Sequence, residues 1–200
     1  MNLLRKIRRS RNRHCGESGS MLLELLIAIV VLAIGMGGLL VLLVSAMYTD
    51  TRASNDTSST MLAEHVIEQI SAQQANDTAT LSVVDCVPNT WTITTIGAAK
   101  GAGNSGSNGG NGATLSSIGT VDWTQDYGTV PGGYKMQYVA CGPSNRRITY
   151  DVRWNVINMF GGAGTTTSRM IFVSARPSTS ATVGGLRYIV PANLRTIGGM

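Results

Sequence analysis

The chain has 200 residues and a net charge of +5, which suits one folded domain with an added membrane element. Residues 1–19 hold six of the 16 basic residues and one of the 11 acidic residues, so ten of each remain from Ser20 onward. The positive charge therefore belongs to the N-terminal segment. This distribution argues against a basic nucleic-acid-binding domain and leaves a short nucleic-acid-binding arm as the alternative interpretation of the leader.

A long apolar segment follows the basic leader. The leader's cations are Arg5, Lys6, Arg8, Arg9, Arg11 and Arg13. Leu25–Met47 then runs for 23 positions without a charged residue, and about 20 apolar residues suffice to cross a bilayer as a helix. Because basic residues favour the cytoplasmic side, we predict a cytoplasmic N-terminus and a membrane-spanning helix, with the remainder of the chain on the far side.

One acid, Glu24, lies near the start of this apolar segment. An ionisable group inside a membrane costs at least a few kcal/mol unless something neutralises it, on the order given by insertion scales. Glu24 is therefore a candidate functional residue that needs a partner.

An ordinary secretory signal is the alternative interpretation of the same segment. Its apolar core is about 7–15 residues long, and cleavage follows small residues such as Val44-Ser45-Ala46. The segment here is longer and carries an acid, which favours retention. Gly35, Gly37 and Gly38 lower the helix propensity inside it, and indicate either close packing between helices or a place where the helix can bend or unwind.

The helical pattern continues beyond the apolar segment. Polar Ser and Thr residues between Asp50 and Thr60 weaken the helix locally. Apolar residues at three- and four-residue spacing then predict an amphipathic helix with one stripe facing a domain. These residues are Met61, Leu62, Val66, Ile67 and Ile70. Asn76-Asp77 is the predicted end of the helix.

The rest of the chain has the pattern of β-strands. Apolar residues alternate most clearly between Ile148 and Val156, and less clearly in 91–96, 134–140 and 170–175. Glycines in 160–164 predict the turn between the last two long strands, and 186–190 is a candidate edge strand that stops before Pro191. We therefore predict an α+β fold: a long N-terminal helix whose second half packs on one face of an antiparallel sheet.

The segment 97–112 consists of Gly, Ala, Ser and Asn with one Lys, and its composition predicts a flexible surface loop. Residues 101–106 match the dinucleotide-binding pattern G-x-G-x-x-G formally. No helix follows and no βαβ unit surrounds the match, so we expect no cofactor there.

Three cysteines are present, Cys15 in the leader and Cys86 and Cys141 in the β-rich part. An even pair in an oxidising compartment predicts a disulfide, and two buried free thiols are the alternative.

No arrangement of residues indicates an active site. His14 and His65 are isolated, so zinc spacing is absent from the sequence, and Glu64 and Glu68 form an ordinary pair on one helix face. Asp122 and Asp126 are too few and too far apart for a calcium site. We expect a protein that is not an enzyme and that binds no cofactor or metal.

The leader, Gly19, Glu24 and the apolar segment together resemble the class III signal of type IV pilins and pseudopilins. In that family the leader ends in Gly, and Glu is the fifth residue of the mature chain, as Glu24 is when counted from Ser20. The segment 25–39, with its Leu-Ala-Ile-Gly sequence, is most similar to minor pilins of the PilV type. Ser20 departs from the family's usual Phe at the first mature position. The cysteines also lie away from the C-terminus, unlike those of major pilins.

The resemblance implies four segments: the prepilin leader 1–19, the transmembrane and assembly helix 20–47, its amphipathic second half 48–75, and the β-rich domain 76–200 outside the cytoplasm. It also implies cleavage after Gly19 and methylation of Ser20 by a prepilin peptidase. The bacterial inner membrane would then hold the subunit until an assembly platform adds it to other pilin subunits, where Glu24 would pair with a neighbour's N-terminal amine. The glycines would let the helix stretch. A pseudopilin of type II secretion and an anchored or secreted binding domain are the alternatives.

Overall fold

The computed structural model describes residues 17–105, 109–142, 146–160, 166–178 and 190–199, with side chains from Met21 onward. The chain divides into two compact units, residues 1–50 and 51–200, and each is described by itself. The leader cations, Cys15 and most of the predicted edge strand 186–190 lie outside the described residues.

Helix α1, Glu17–Ser71, extends through both units. In the first unit its side chains from Met21 to Asp50 are all exposed. Since apolar side chains dominate this segment, the described part of the unit has no core of its own. The helix ends at Ser71, a few residues before the predicted Asn76-Asp77.

In the second unit, the hydroxyl side chains in the polar part of α1 bond to the helix's own backbone. Thr57, Ser58, Ser59 and Thr60 each donate a hydrogen bond of 2.9–3.0 Å to the carbonyl four residues earlier. Such bonds satisfy the hydroxyls but slightly destabilise a helix. The helix is nevertheless continuous here, because packing of its buried stripe, which begins at Ser59, stabilises it.

The stripe that α1 buries overlaps the predicted one in part: Val66 and Ile70 are fully buried, whereas Leu62 and Ile67 are half-buried. Ala63, Val66 and Ile70 are fully buried, and Ser59 extends the stripe by one turn. Met61, which the sequence assigns to the stripe, is 64% exposed. The spacing of four, three and four residues places the buried positions on one helical face, and Met61 lies outside it.

Eight strands follow the helix in the part of the chain that the structure describes. Their bounds are β1 Thr80–Val84, β2 Thr90–Thr94, β3 Ala98–Ala99, β4 Asn111–Gly112, β5 Lys135–Cys141, β6 Arg147–Phe160, β7 Thr166–Pro177 and β8 Ala192–Gly198. β1 and β2 form an antiparallel hairpin. In the six-stranded sheet β6 is central: β7 lies along one edge, and β5, β4 and β3 share the other. The pairing is antiparallel except between β3 and β6, so the sheet is mixed. The fold is α+β, as the sequence predicts.

One face of the sheet, here called the helix face, carries the main apolar core. Val152, Trp154 and Val156 alternate along β6 and are fully buried. They belong to one cluster with the buried stripe of α1. Arg169, on the same face of β7, donates hydrogen bonds to the carbonyls of Ala75 and Asp77 just beyond the helix. The sheet therefore holds both the side of the helix and its C-terminal end.

The opposite face, here called the loop face, is buried too. Asp151, Arg153 and Asn155 are each at most 6% exposed, although alternation predicts that they face water. The loop 113–130 covers them: Arg153 donates to the Gln125 carbonyl at 2.6 Å, and Asn155 to the Ala113 carbonyl at 2.9 Å. The sequence predicts that one face of the sheet packs on the helix, and the structure adds that the opposite face is covered by a loop whose carbonyls accept hydrogen bonds from the buried polar side chains.

The glycine-rich segment supplies two short strands that its composition does not predict. β3 and β4 both pair with β6, and Gly110 and Gly112 adopt positive φ angles of 84° and 119°. Ser105 is fully buried and donates to the carbonyls of Gly109 and Gly110. Backbone pairing, which needs no apolar side chain, orders the described part of this segment.

Candidate functional site

The first candidate site is the apolar part of α1. From Met21 this helix is long and apolar enough, by length and composition, to cross a membrane. Its side chains between Met21 and Tyr48 are exposed, and the large apolar ones among them are 48–76% exposed. So much apolar surface must be covered by lipid or by other apolar helices when the protein is in its working environment.

Glu24 lies on the same face of this helix as Ile27, Ala28 and Val31, which follow it by three, four and seven positions. It shares a shallow surface groove with these residues, so an exposed carboxylate lies on an otherwise apolar helical face. Within the described part of the chain, Glu24 makes no ion pair and no hydrogen bond. The partner that the sequence requires is therefore not supplied by the chain as described.

The glycines of the same helix do not interrupt it. α1 is continuous through Gly35, Gly37 and Gly38, and a Cβ atom at any of them would meet nothing within 4 Å. The two interpretations from the sequence, helix packing and helix bending, both stay predictions. The open space means that small side chains at these positions are not required by the folded chain itself.

The predicted processing site lies at the helix start. α1 begins at Glu17, so Gly19 and Ser20 are both within its first turn. The leader before it is outside the described residues, and the role of these two residues stays a prediction.

The second candidate feature is the disulfide. Cys86 and Cys141, the pair that the sequence names, are joined with an S–S distance of 2.07 Å across a sequence separation of 55. The bond links the turn between β1 and β2 to the end of β5. In the chain-entropy model a loop of this length stabilises the fold by about 4 kcal/mol.

Asp85, next to Cys86, is a residue that the sequence analysis did not single out. It is 6% exposed, and its carboxylate accepts hydrogen bonds from both sides of the turn and from β5. Burial alone would raise its pKa, but hydrogen bonds from Asn89, Trp91 and Val87 outweigh burial and hold the pKa well below its ordinary value. The residues Asp-Cys-Val-Pro-Asn at 85–89 are typical of a turn, and this signal could have pointed to Asp85.

The remaining candidate acids form local turns. Asp122 accepts from the amide and hydroxyl of Thr124 at 2.9 and 2.7 Å, and Asp126 accepts from the amide of Gly128 at 2.6 Å. His65 and Glu64 are exposed on α1. Across the described ranges, no three His, Cys, Asp or Glu residues come together in a group that could hold a metal ion.

A stack of cations and aromatic rings lies on the loop face. The Arg153 guanidinium carbon is 4.7 Å from the centre of the Trp123 ring, and that of Arg176 is 4.1 Å from the same ring. Arg153 also lies over Tyr127, whose ring contacts Lys135 at 4.6 Å. Because these rings and cations contact each other, the stack stabilises the loop on the sheet instead of offering free ring faces to a ligand.

Comparison of the chain with protein-family models, with curated proteins and with solved structures finds no match.

Proposed function

We propose that the protein is a structural minor pilin of a type IV pilus. A prepilin peptidase would cleave it after Gly19, and the subunit would then wait in the bacterial inner membrane with its N-terminus in the cytoplasm. Assembly would place its apolar helix among those of other pilin subunits. The role is structural and not catalytic.

The observation that carries the proposal is the carboxylate of Glu24, which lies on an apolar helical face and has no ion pair or hydrogen bond among the described residues. In lipid or in a bundle of apolar helices, such a carboxylate is costly unless a cation reaches it. Cleavage after Gly19 would create a cation, the amine of Ser20, and an axial offset of about 6 Å between neighbouring subunits would bring this amine to the depth of Glu24. The pair would then select the axial register of neighbouring helices more than it would add stability.

The domain of residues 51–200 supports the proposal in a second way. It is α+β and is closed by a disulfide, which is typical of proteins that fold outside the cytoplasm. With the basic residues of the leader on the cytoplasmic side, a single helix crossing would put this domain on the opposite side of the membrane.

The test compares Glu24→Gln with Glu64→Gln in the organism that makes the filament. Glu64 is an exposed acid on the same helix, so its variant controls for the loss of one charge. We expect both variants to reach wild-type levels in the membrane and to be cleaved after Gly19, as intact mass would verify. Only Glu24→Gln should be depleted from sheared filaments, by at least about tenfold if one buried charge pair is lost.

Recovery of Glu24→Gln in filaments at the wild-type level would remove this role of Glu24. Depletion of both variants would mean that the filament responds to helix charge in general and not to this carboxylate.

A further inference from the structure

The two oxygen atoms of Asp85 have separate tasks. Oδ1 accepts from the amides of Val87 and Asn89 at 2.9 and 3.0 Å, which closes the turn between β1 and β2. Oδ2 accepts from Asn89 Nδ2 at 3.0 Å, from Trp91 Nε1 at 3.2 Å and from the amide of Val139 at 3.3 Å. Oδ1 therefore acts within the turn, and Oδ2 also reaches another strand.

Both backbone groups of Val139 form hydrogen bonds with the turn between β1 and β2. Its amide donates to Asp85, and its carbonyl accepts from the amide of Cys86 at 3.3 Å. Val139 lies on β5 two residues before Cys141. These two bonds hold the turn that carries Cys86 beside the strand that carries Cys141, and neither bond involves a sulfur atom.

The carboxylate of Asp85 has no basic side chain within ion-pair distance in the described part of the chain. All five of its hydrogen bonds come from neutral N–H groups. Few other arrangements of donors would satisfy a buried carboxylate. These hydrogen bonds therefore fix the position of the turn that carries Asp85 against β5. None of these hydrogen bonds involves a sulfur atom, so none of them requires the disulfide.

We propose that Asp85 is a positioning residue for disulfide formation. In the reduced chain its carboxylate docks the turn on β5, which raises the effective concentration of Cys86 at Cys141. The inference does not depend on the pilus, since it concerns only how the domain acquires its disulfide.

The chemistry is a two-step thiol–disulfide exchange with oxidised glutathione as the oxidant. One cysteine thiolate attacks glutathione disulfide, forms a mixed disulfide and releases one glutathione. The second cysteine thiolate then attacks the protein sulfur of that mixed disulfide and releases the other glutathione. Two protein thiols thus lose two electrons and two protons, which appear in two glutathione thiols. Asp85 acts on the second, intramolecular step.

The substitution Asp85→Asn tests the roles of the two carboxylate oxygens separately, because it keeps one oxygen and replaces the other by an NH2 group. Its amide oxygen can keep the bonds that Oδ1 accepts, so the turn can still close. Its NH2 group would stand where Oδ2 stands and would face three donors: Asn89 Nδ2, Trp91 Nε1 and the amide of Val139. The variant therefore can keep the two amide bonds that close the turn, and it loses the bond from Val139 together with those from Asn89 Nδ2 and Trp91 Nε1.

The experiment uses the full chain in detergent, reduced and then exposed to glutathione buffers of known ratio. Quenched samples give the amount of each disulfide by peptide mass spectrometry. These amounts give the rate of the second step, the effective concentration of Cys86 at Cys141, and the fraction of disulfides that contain Cys15.

We expect Asp85→Asn to lower the effective concentration by about tenfold or more, as losing a hydrogen bond to a charged group would do. Mixed disulfides and Cys15-containing disulfides should rise.

Two control variants isolate the effect. Asp122→Asn removes a carboxylate whose side chain bonds only within its own turn, and Ile93→Val loosens a buried residue of the β1–β2 hairpin without touching Asp85. Both should keep the wild-type pairing selectivity. Trp91→Phe keeps the carboxylate and removes one of the Oδ2 bonds, so it should give an intermediate effect even if Asp85→Asn folds poorly.

The proposal fails if Asp85→Asn and Trp91→Phe both pair Cys86 with Cys141 at the wild-type rate and selectivity. It also fails if Ile93→Val lowers the selectivity as much as Asp85→Asn, because general loosening of the hairpin would then account for the result.

Discussion

Arg153 and Asp151, two residues apart on β6, form a buried ion pair on the loop face, with Nη2 and Oδ2 2.7 Å apart. Their side chains are 3% and 9% exposed. Nε of Arg153 donates to both carboxylate oxygens at 3.0 and 3.2 Å, and Nη1 donates to the Gln125 carbonyl. One guanidinium therefore neutralises the strand's buried acid and also attaches the covering loop.

Replacing Arg153 by Met should destabilise the domain by about 3–5 kcal/mol, because Asp151 would stay buried without its cation. Urea unfolding followed by tryptophan fluorescence measures the change. Arg147→Met, at an exposed position of the same strand, is the matched control and should change the free energy of unfolding by less than about 0.5 kcal/mol. Adding Asp151→Leu to Arg153→Met should recover part of the loss, and equal effects of the two arginine variants would contradict the assignment.

The helix stripe can be tested with a pair of alanine substitutions in α1. Ile70 is fully buried and Met61 is 64% exposed, although the sequence alone places both on the stripe. Ile70→Ala should lower the free energy of unfolding by about 2–5 kcal/mol, since it leaves a cavity in the core. Met61→Ala should stay within about 0.5 kcal/mol. A large effect at Met61 would mean that the helix packs in a different rotation.

Acid should destabilise the domain through Asp85 at low pH. Its pKa is below the ordinary value of 3.8 in the folded chain, because hydrogen bonds to the carboxylate outweigh burial. The stability it contributes is therefore complete above the ordinary pKa and is lost as the pH falls toward the lower folded value. We expect a steady melting temperature from pH 7 to about pH 5 and a fall below about pH 4.

Asp85→Asn should flatten that acid-induced fall, because an amide does not titrate there. Thermal melting of the oxidised protein across the pH range makes the measurement. Asp122, whose pKa is lowered by the hydroxyl and amide of Thr124, should contribute a smaller part of the same sign. An unchanged acid slope in Asp85→Asn would assign the fall to other carboxylates.

Processing can be tested by mass. Gly19→Asp should stop cleavage by the peptidase, and the protein should keep its first 19 residues. Gly37→Ala is the matched glycine control, because the helix leaves open space for a Cβ there. The wild-type and control proteins should have a mature mass that begins at Ser20. A mass that begins at Met47 would instead identify an ordinary secretory signal.

The parts of the fold that side-chain periodicity encodes could be predicted from the sequence. The second half of the helix and the strands β2, β5, β6 and β7 have a period of 3.6 or 2 that can be recognised, and they imply the α+β class. β1 and β8 were not predicted: β1 is as short as β2 and ends on two consecutive valines that break its alternation, and β8 begins directly after Pro191.

Burial on the loop face could not be predicted from the sequence. The alternation of polar and apolar residues along β6 normally indicates one solvated face, and only the distant loop 113–130 changes this. The same limit applied to Asp85: its five hydrogen-bond donors are spread over four residues, one of them on β5, so no local spacing reveals them.

The two short strands of the glycine-rich segment have a practical consequence for protein engineers. Segments of such low sequence complexity as 97–112 are often deleted to obtain a compact domain that crystallises. Removing 97–112 would leave the backbone of β6 unpaired at 155–158 on the side away from β7, and it would remove the hydrogen bond from Asn155 to the Gly109 carbonyl. The safer places to trim or tag this domain are therefore those where the backbone bonds to nothing, whatever their composition.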